Sequence, residues 1–222
     1  LLYSCQLADY IDIHTHHNVG EGLFITNRYQ AFEIAAEGGL CSLGLHPWYV
    51  TDADFDSEMT QLERFAMLPN TLAIGECGLD KVTETDWELQ GKAFRTQIKL
   101  ANRLQKPLII HCVRAYDEVL QILKQERVQV PVIFHGFNKN VQVSKRILDS
   151  GYYLSFGAAL LKEQSPAIAS LQNTPEAGFF LETDDADVSI RQIYEKVADI
   201  RKTGTDALIL QLQKNFQAVF NI

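Results

Sequence analysis

The sequence predicts an α/β fold of parallel strands alternating with helices, as a closed (β/α) barrel or a doubly wound open sheet. Three observations predict it. Short apolar runs bounded by turn residues recur eight times, amphipathic stretches fill the intervals between the later runs, and six of the runs end on a histidine or a glutamate.

The runs are Tyr10–His14, Leu23–Thr26, Leu40–His46, Leu72–Glu76, Leu108–His111, Val132–His135, Tyr152–Phe156 and Phe179–Glu182. Most are rich in Ile, Val, Leu or Phe with little polar alternation, which is the pattern of strands buried on both faces. Only Thr15–Gly22 joins the first two runs. A crossover helix needs a dozen or more residues. Either a helix is missing from the first βα unit or the second run is not a barrel strand.

The helical stretches follow in order. Met59, Leu62 and Ala66 form a weak stripe that stops at Pro69. Across 86–105, Phe94, Ile98, Ala101 and Leu104 sit three or four apart, Asp86 can cap the start, and Lys106-Pro107 ends the helix. Tyr116, Val119, Leu120 and Leu123 form the stripe of 116–127, and Gly151 ends the helix before the seventh run. Ile190, Ile193, Val197 and Ile200 line 188–201; Leu208, Leu212, Phe216 and Val219 line 206–220. No linker, repeat or composition shift divides the chain, so residues 1–222 read as one domain.

Composition narrows the function classes. The chain is 222 residues long, 46% hydrophobic and 22% charged, with a formal charge of −8. At this length folding buries roughly 70% or more of the surface, so a metal is not needed merely to hold the core. The acidic balance argues against a broad basic face for duplex DNA or an anionic membrane. No apolar run approaches the roughly 20 residues of a membrane span. The opening Leu1-Leu2-Tyr3-Ser4-Cys5 does not read as a signal peptide. Cys5, Cys41, Cys77 and Cys112 form no CxxC pair and read as thiols of a reducing cytoplasm.

The polar residues that end the strands carry the chemistry. His14-Thr15-His16 ends the first run, Glu76 the fourth, His111 the fifth and His135 the sixth; His46 follows Gly44-Leu45, and the eighth runs into Glu182-Thr183-Asp184. Active sites of barrels and of open α/β sheets form at that end of the strands. His14 and His16, two apart on a strand, point the same way, which is a chelating arrangement. Imidazoles with carboxylates suit zinc, manganese, iron or nickel, and two ions can share six such ligands. Leaving that much polarity buried without an ion would be costly.

Asp12-Ile-His14-Thr-His16, Gly75-Glu76-Cys-Gly78-Leu79-Asp80, Ile110-His111-Cys112, His135-Gly136-Phe137 and Glu182-Thr183-Asp184 resemble the motif set of the TatD-related metal-dependent deoxyribonucleases, a branch of the amidohydrolase-like TIM barrels. Gly44-Leu45-His46-Pro47-Trp48 and Asn215-Phe216…Phe220 match as well, so the resemblance runs nearly end to end. It implies a (β/α)8 TIM barrel, slightly truncated in the first βα unit. It also implies two divalent ions, with zinc, magnesium or manganese as candidates. His14, His16 and Asp184 would hold one, His111 and His135 the other, and Glu76 would bridge them. Asp12, two residues before His14 on the same strand face, either orients a ligand from behind or is a polar residue at the barrel floor.

The implied reaction is sequence-independent, exonuclease-like cleavage of phosphodiester bonds in DNA by a metal-activated water, with Asp184 accepting its proton. Arg28, Lys81, Arg114, Lys139 and Lys162 are candidates for a cationic rim, and Arg114, Lys139 and His46 for substrate contacts. Trp48, Tyr49 and Phe137 are candidates for stacking on bases. His17 should point away from the chelating pair. The chain departs from the family at Val113-Arg114 and at Gly136-Phe137-Asn138-Lys139. Two rivals remain: hydrolysis of a small ester, amide or phosphoester at the same two-metal site, and a non-catalytic metal-binding barrel.

Overall fold

The computed structural model describes residues 10–221; Cys5 and the rest of the opening segment lie outside the described residues. Eight strands pair in chain order, every pair parallel: β1 (Ile11–Thr15), β2 (Leu23–Arg28), β3 (Cys41–Leu43), β4 (Thr71–Asp80), β5 (Leu108–Val113), β6 (Val132–Phe134), β7 (Tyr153–Phe156) and β8 (Phe179–Leu181). The helices are α1 (Phe55–Ala66), α2 (Trp87–Leu104), α3 (Tyr116–Gln125), α4 (Val141–Asp149), α5 (Pro166–Asn173), α6 (Ile190–Arg201) and α7 (Thr205–Phe220). The second run is therefore a barrel strand, and what is missing is the first helix. A loop joins β1 to β2, and a 3-10 turn at Phe32–Glu37 stands where the second helix would be.

The barrel closes at the end where the histidines gather. Beyond β8, Asp184 bridges to Thr15. The Asp184 amide donates to the His14 carbonyl at 3.0 Å, and the His16 amide donates to the Asp184 carbonyl at 2.9 Å. Lower on the seam, the Tyr194 hydroxyl of α6 serves both the amide and the carbonyl of Ile11, each at 3.1 Å. A side chain thus satisfies backbone groups that a longer β8 would have paired.

Two apolar layers flank the sheet. Between sheet and helices lie Leu43, Ile74, Leu79, Ile110, Phe134, Phe156 and Leu181 with the buried stripes of α2, α3 and α6. Inside the barrel Ile11, Ile13, Ile25, Ala73, Ile109, Ile133 and Phe180 meet Phe216, Val219 and Phe220 of α7. Phe216 and Phe220 stack at 4.5 Å and Phe180 meets Phe220 edge-on. Each buried ring contributes roughly 1.5–3 kcal/mol. The interior is therefore oily at the α7 end and polar at the other.

β4 is the longest strand and bends where it delivers Glu76. Its register with β5 is irregular between Ile74 and Cys77. Gly78 has φ 145°, and a Cβ there would come within 2.0 Å of the His111 carbonyl, so glycine is required for this close pass.

A similar irregularity between Asp12 and Thr15 corrects one expectation about Asp12. Ile11 and Ile13 pack inside the barrel, while Asp12 and Thr15 line a cavity of about 380 Å³ with Val188 and Ile190. Asp12 therefore does not share the face of His14, because the bulge resets the alternation between them. Among the described residues, Cys41 and Cys77 are buried free thiols and Cys112 is a half-buried one. No described helix is long and apolar enough to cross a membrane.

Candidate metal centre

Glu76 is the hub. It is 3% exposed and is clamped at both ends by Asn27 of β2: the Asn27 Nδ2 donates to Oε2 at 3.1 Å, and the Asn27 Oδ1 accepts from the Glu76 amide at 3.1 Å. Ser42 donates in turn to Asn27 Oδ1. The carboxylate is thus fixed before any ligand arrives. Its two oxygens serve different partners. Oε2 lies 3.4 Å from His14 Nε2 and 3.9 Å from His16 Nε2. Oε1 lies 2.6 Å from His111 Nδ1, 2.7 Å from His135 Nε2 and 3.1 Å from His46 Nε2.

Asp184 completes the first group, with Oδ1 at 3.6 Å from His14 Nε2 and 3.4 Å from His16 Nε2. His14 is fully buried, and its Nε2 has no hydrogen-bond partner despite two carboxylates nearby. Donors about 2.0–2.2 Å from one ion lie about 3.0–3.5 Å from one another. The separations among His14, His16, Glu76 and Asp184 are close to that spacing and poor as hydrogen bonds, so these residues fit a divalent cation. Glu76 with His111 and His46 forms another group able to hold an ion, as does His14 with His135 and Asp184. The contacts of Glu76 with His111 and His135 are short, charge-assisted hydrogen bonds. An ion between them would have to displace protons and spread these donors.

The histidines are presented differently. His14, His16 and His135 turn Nε2 toward the carboxylates, whereas His111 turns Nδ1 toward Glu76. Its Nε2 sits 3.0 Å from Asp80 Oδ2, which also accepts from Trp48 Nε1 at 2.6 Å. Asp80 therefore pins a proton on Nε2, so Nδ1, once its own proton toward Glu76 is displaced, is the nitrogen an ion would take. Asp80→Asn is expected to weaken metal binding by about 10- to 100-fold, read by titrating the metal-free protein. Unchanged affinity would contradict this role.

His46 holds its proton on the same nitrogen as His111 but turns that nitrogen, not the other, toward Glu76. Its Nδ1 accepts the Trp48 amide at 3.1 Å, so the neutral ring carries its proton on Nε2, facing Glu76 and His111. Burial lowers its pKa despite Glu76, which keeps the ring neutral and a proton donor rather than a ligand.

The charges are coupled. Burial raises the pKa of Glu76, but His135, His111 and His14 outweigh it and hold the carboxyl ionised, well below the usual range. Burial opposes protonation of His14 and so does His135, yet Asp184 and Glu76 raise its pKa to about 9. Burial is likewise overcome at His135 by Glu76 and Glu182, which raise it well above the ordinary value. Burial at Asp184 is outweighed by His14 and His16, which lower its pKa. An imidazole ligates only when neutral, so protons compete with the ion and loading weakens as pH falls below about 9. Loading at pH 7 is expected to release protons, those on His14 and His135 among them. Calorimetry in two buffers of different ionisation enthalpy measures their number, and release of none would contradict it.

The remaining candidates divide. Asp12 accepts from the His14 amide, the Thr183 amide and the Thr183 hydroxyl at 3.3, 3.1 and 2.6 Å, so it ties the backbone beside His14 to the backbone beside Asp184. It sits on the barrel seam rather than the floor. Arg114 and Lys139 are exposed on the loops after β5 and β6, and neither side chain bonds the cluster. Arg28 is taken up by Asn18, Lys81 by Glu118, and Lys162 is exposed. His17 turns its Nε2 to the Ala186 carbonyl at 3.3 Å, away from the cluster. Trp48 and Tyr49 are exposed beside His46, but Phe137 is fully buried against Phe156 and Tyr116, so its stacking role is withdrawn.

Sequence reasoning missed Asn27 and assigned no role to Asp80 or Glu182. Glu182 is fully buried, accepts from the Gly136 amide and lies 3.6 Å from His135 Nδ1. Asp80 had a signal, since it ends the same strand as Glu76. Asn27 had a weaker one, a polar residue just past an apolar run.

The profile of the family described as TatD related DNase matches residues 13–221. An uncharacterized metal-dependent hydrolase of Buchnera aphidicola is 28% identical over 199 residues, covering 82% of this chain and 74% of its own length. The uncharacterized metal-dependent hydrolase YjjV of Escherichia coli is 25% identical, covering 82% and 76%. The crystal structure of that TatD homologue superposes with a TM-score of 0.85 at 22% identity, over 97% of this chain and 99% of the other. With its eight parallel strands and its cluster of imidazoles and carboxylates, the chain belongs to the TatD related DNase family, as a metal-dependent hydrolase on a TIM barrel.

Proposed function

We propose that this protein is a deoxyribonuclease that cleaves phosphodiester bonds without reading sequence, at a site holding two divalent ions. His14, His16 and Asp184 would hold one ion, His111 and His135 the other, and Glu76 would give one oxygen to each. The observation that carries this reading is the division of labour on Glu76, whose two oxygens face two separate sets of donors. The ions supply Lewis acidity, lowering the pKa of water and offsetting charge that develops on the phosphoryl oxygens.

The chain's own groups do the rest. Asp184, ionised and 35% exposed at its side chain, takes the proton from the attacking water. His46 Nε2–H donates a hydrogen bond to a phosphoryl oxygen as the phosphodiester settles over Glu76. Asn27 and Asp80 keep Glu76 and His111 in place. The cluster is recessed, with Glu76, His46 and His111 at 3%, 5% and 8% exposure. A phosphate in mid-duplex reaches such a site poorly, whereas a single strand or frayed end can bend into it. That favours attack from an end.

The test uses end-labelled single-stranded DNA and protein reconstituted with magnesium, manganese or zinc. Chelator-sensitive release of labelled mononucleotides is expected. No degradation with any of the three, together with turnover of a small ester or phosphotriester, would replace this reading by that of a small-substrate hydrolase.

A further inference from the structure

Two exposed aromatic rings, Trp48 and Tyr49, and the half-buried Tyr29 form one continuous wall around the mouth of the site. Tyr29 and Tyr49 stack at 4.8 Å with 19° between their planes. Trp48 meets Tyr49 edge-on at 6.2 Å. The wall touches the cluster itself: Trp48 lies 4.9 Å from His46 and 5.7 Å from His111, and Tyr29 lies 5.9 Å from His16. Trp48 is 50% exposed and Tyr49 42%, a high cost for large rings that merely pack. The indole is nevertheless held, because its Nε1 donates to Asp80. A ring both exposed and anchored is preorganised for a ligand.

The charges nearby say which ligand. The protein carries a net −8. Three cations are engaged elsewhere, Arg28 on Asn18, Lys81 on Glu118 and Arg191 on Glu21, which leaves Arg114, Lys139 and Lys162 exposed on their loops. A polyanion gripped through its phosphates alone would find few free partners here. A planar, uncharged group joined to the phosphate would find a face of matching size, within one sugar's reach of the imidazoles. Resting on the nuclease reading above, we infer that Tyr29, Trp48 and Tyr49 form a stacking subsite for the nucleobase next to the scissile phosphate. Its binding comes from ring stacking, which accepts any base and so leaves the enzyme indifferent to sequence. The tie from Trp48 through one Asp80 oxygen to His111 sets the stacked base at a fixed distance from the reacting centre.

The experiment pairs substrate and protein deletions. Single-stranded DNA is compared with the same strand carrying an abasic residue on the 5′ or the 3′ side of the labelled terminal phosphodiester. Stacking predicts that the magnesium-loaded protein prefers the intact strand by about 5- to 100-fold in kcat/KM on one of the two sides. The preference should collapse toward unity in Trp48→Leu and shrink in Tyr49→Ala. Because the ratio is taken within each variant, a general loss from disturbing Asp80 cancels. Equal cleavage of intact and abasic strands by the unaltered protein would overturn the subsite and leave the nuclease reading standing.

A second readout needs no turnover. The chain has two tryptophans, so Trp87→Phe leaves Trp48 as the sole indole. Thymidylyl dinucleotide is expected to quench its emission and deoxyribose 5-phosphate is not. Should DNA survive undegraded, quenching would keep the subsite while the nuclease reading fell, and its absence would remove both.

Discussion

Replacing Glu76 by glutamine is expected to abolish metal loading and turnover together. The substitution keeps the shape and the Asn27 clamp but removes the charge on which the donors converge. Every close approach to its oxygens, from His14, His16, His46, His111 and His135, then loses its electrostatic reason. Turnover should fall by at least about 10³-fold. The metal-free protein should suffer too. At pH 7 the buried rings of His14 and His135 are held protonated by this carboxylate together with Asp184 at His14 and Glu182 at His135. Removing one partner of a buried charge pair costs about 3–5 kcal/mol, a fall in Tm on the order of 10 °C at this chain length. Metal content, kcat and the metal-free melting curve measure the three effects. A Glu76→Gln protein that loads normally and turns over at the original rate would contradict the account.

Asp184→Asn should separate chemistry from structure. The backbone of residue 184 closes the barrel through the His14 carbonyl and the His16 amide, whereas its side chain is 35% exposed and faces the cluster. Residue 184 also sits in the left-handed region, with φ 56°. Asparagine tolerates that conformation better than almost any other non-glycine residue. The variant therefore keeps the closure bonds and the turn but has no charge with which to take a proton. Turnover is expected to fall about 10²- to 10⁴-fold, with a smaller drop in melting temperature than in Glu76→Gln because this carboxylate is partly exposed. A variant that folds and works at the original rate would place the proton acceptor elsewhere.

Much of this architecture was legible because apolar runs buried on two faces carry a strong signal. Each of the eight runs overlaps a barrel strand, and the stripes at 86–105, 116–127, 188–201 and 206–220 all become helices. The fourth run is shorter than the strand it marks. β4 continues past Glu76 to Asp80, since Gly78, which reads as a breaker, is what permits the close pass against His111. Helix α5 escaped notice because it is only eight residues long, although Ser165 caps it and Pro166 opens it. The bulge after Asp12 was invisible because alternation along a strand is assumed until pairing shows otherwise. For the same reason Asp12 was wrongly set on the face of His14.

Convergence at the metal centre was foreshadowed by where donors end the strands. Their support was not, since Asn27 and Glu76 are 49 residues apart and meet only through the sheet.

The most direct test is anomalous diffraction from crystals of the manganese-loaded protein. Two peaks should appear roughly 3.5–4 Å apart on either side of the Glu76 carboxylate, one against His14, His16 and Asp184 and one against His111 and His135. Crystals with manganese bound elsewhere and no peak beside Glu76 would contradict the central claim.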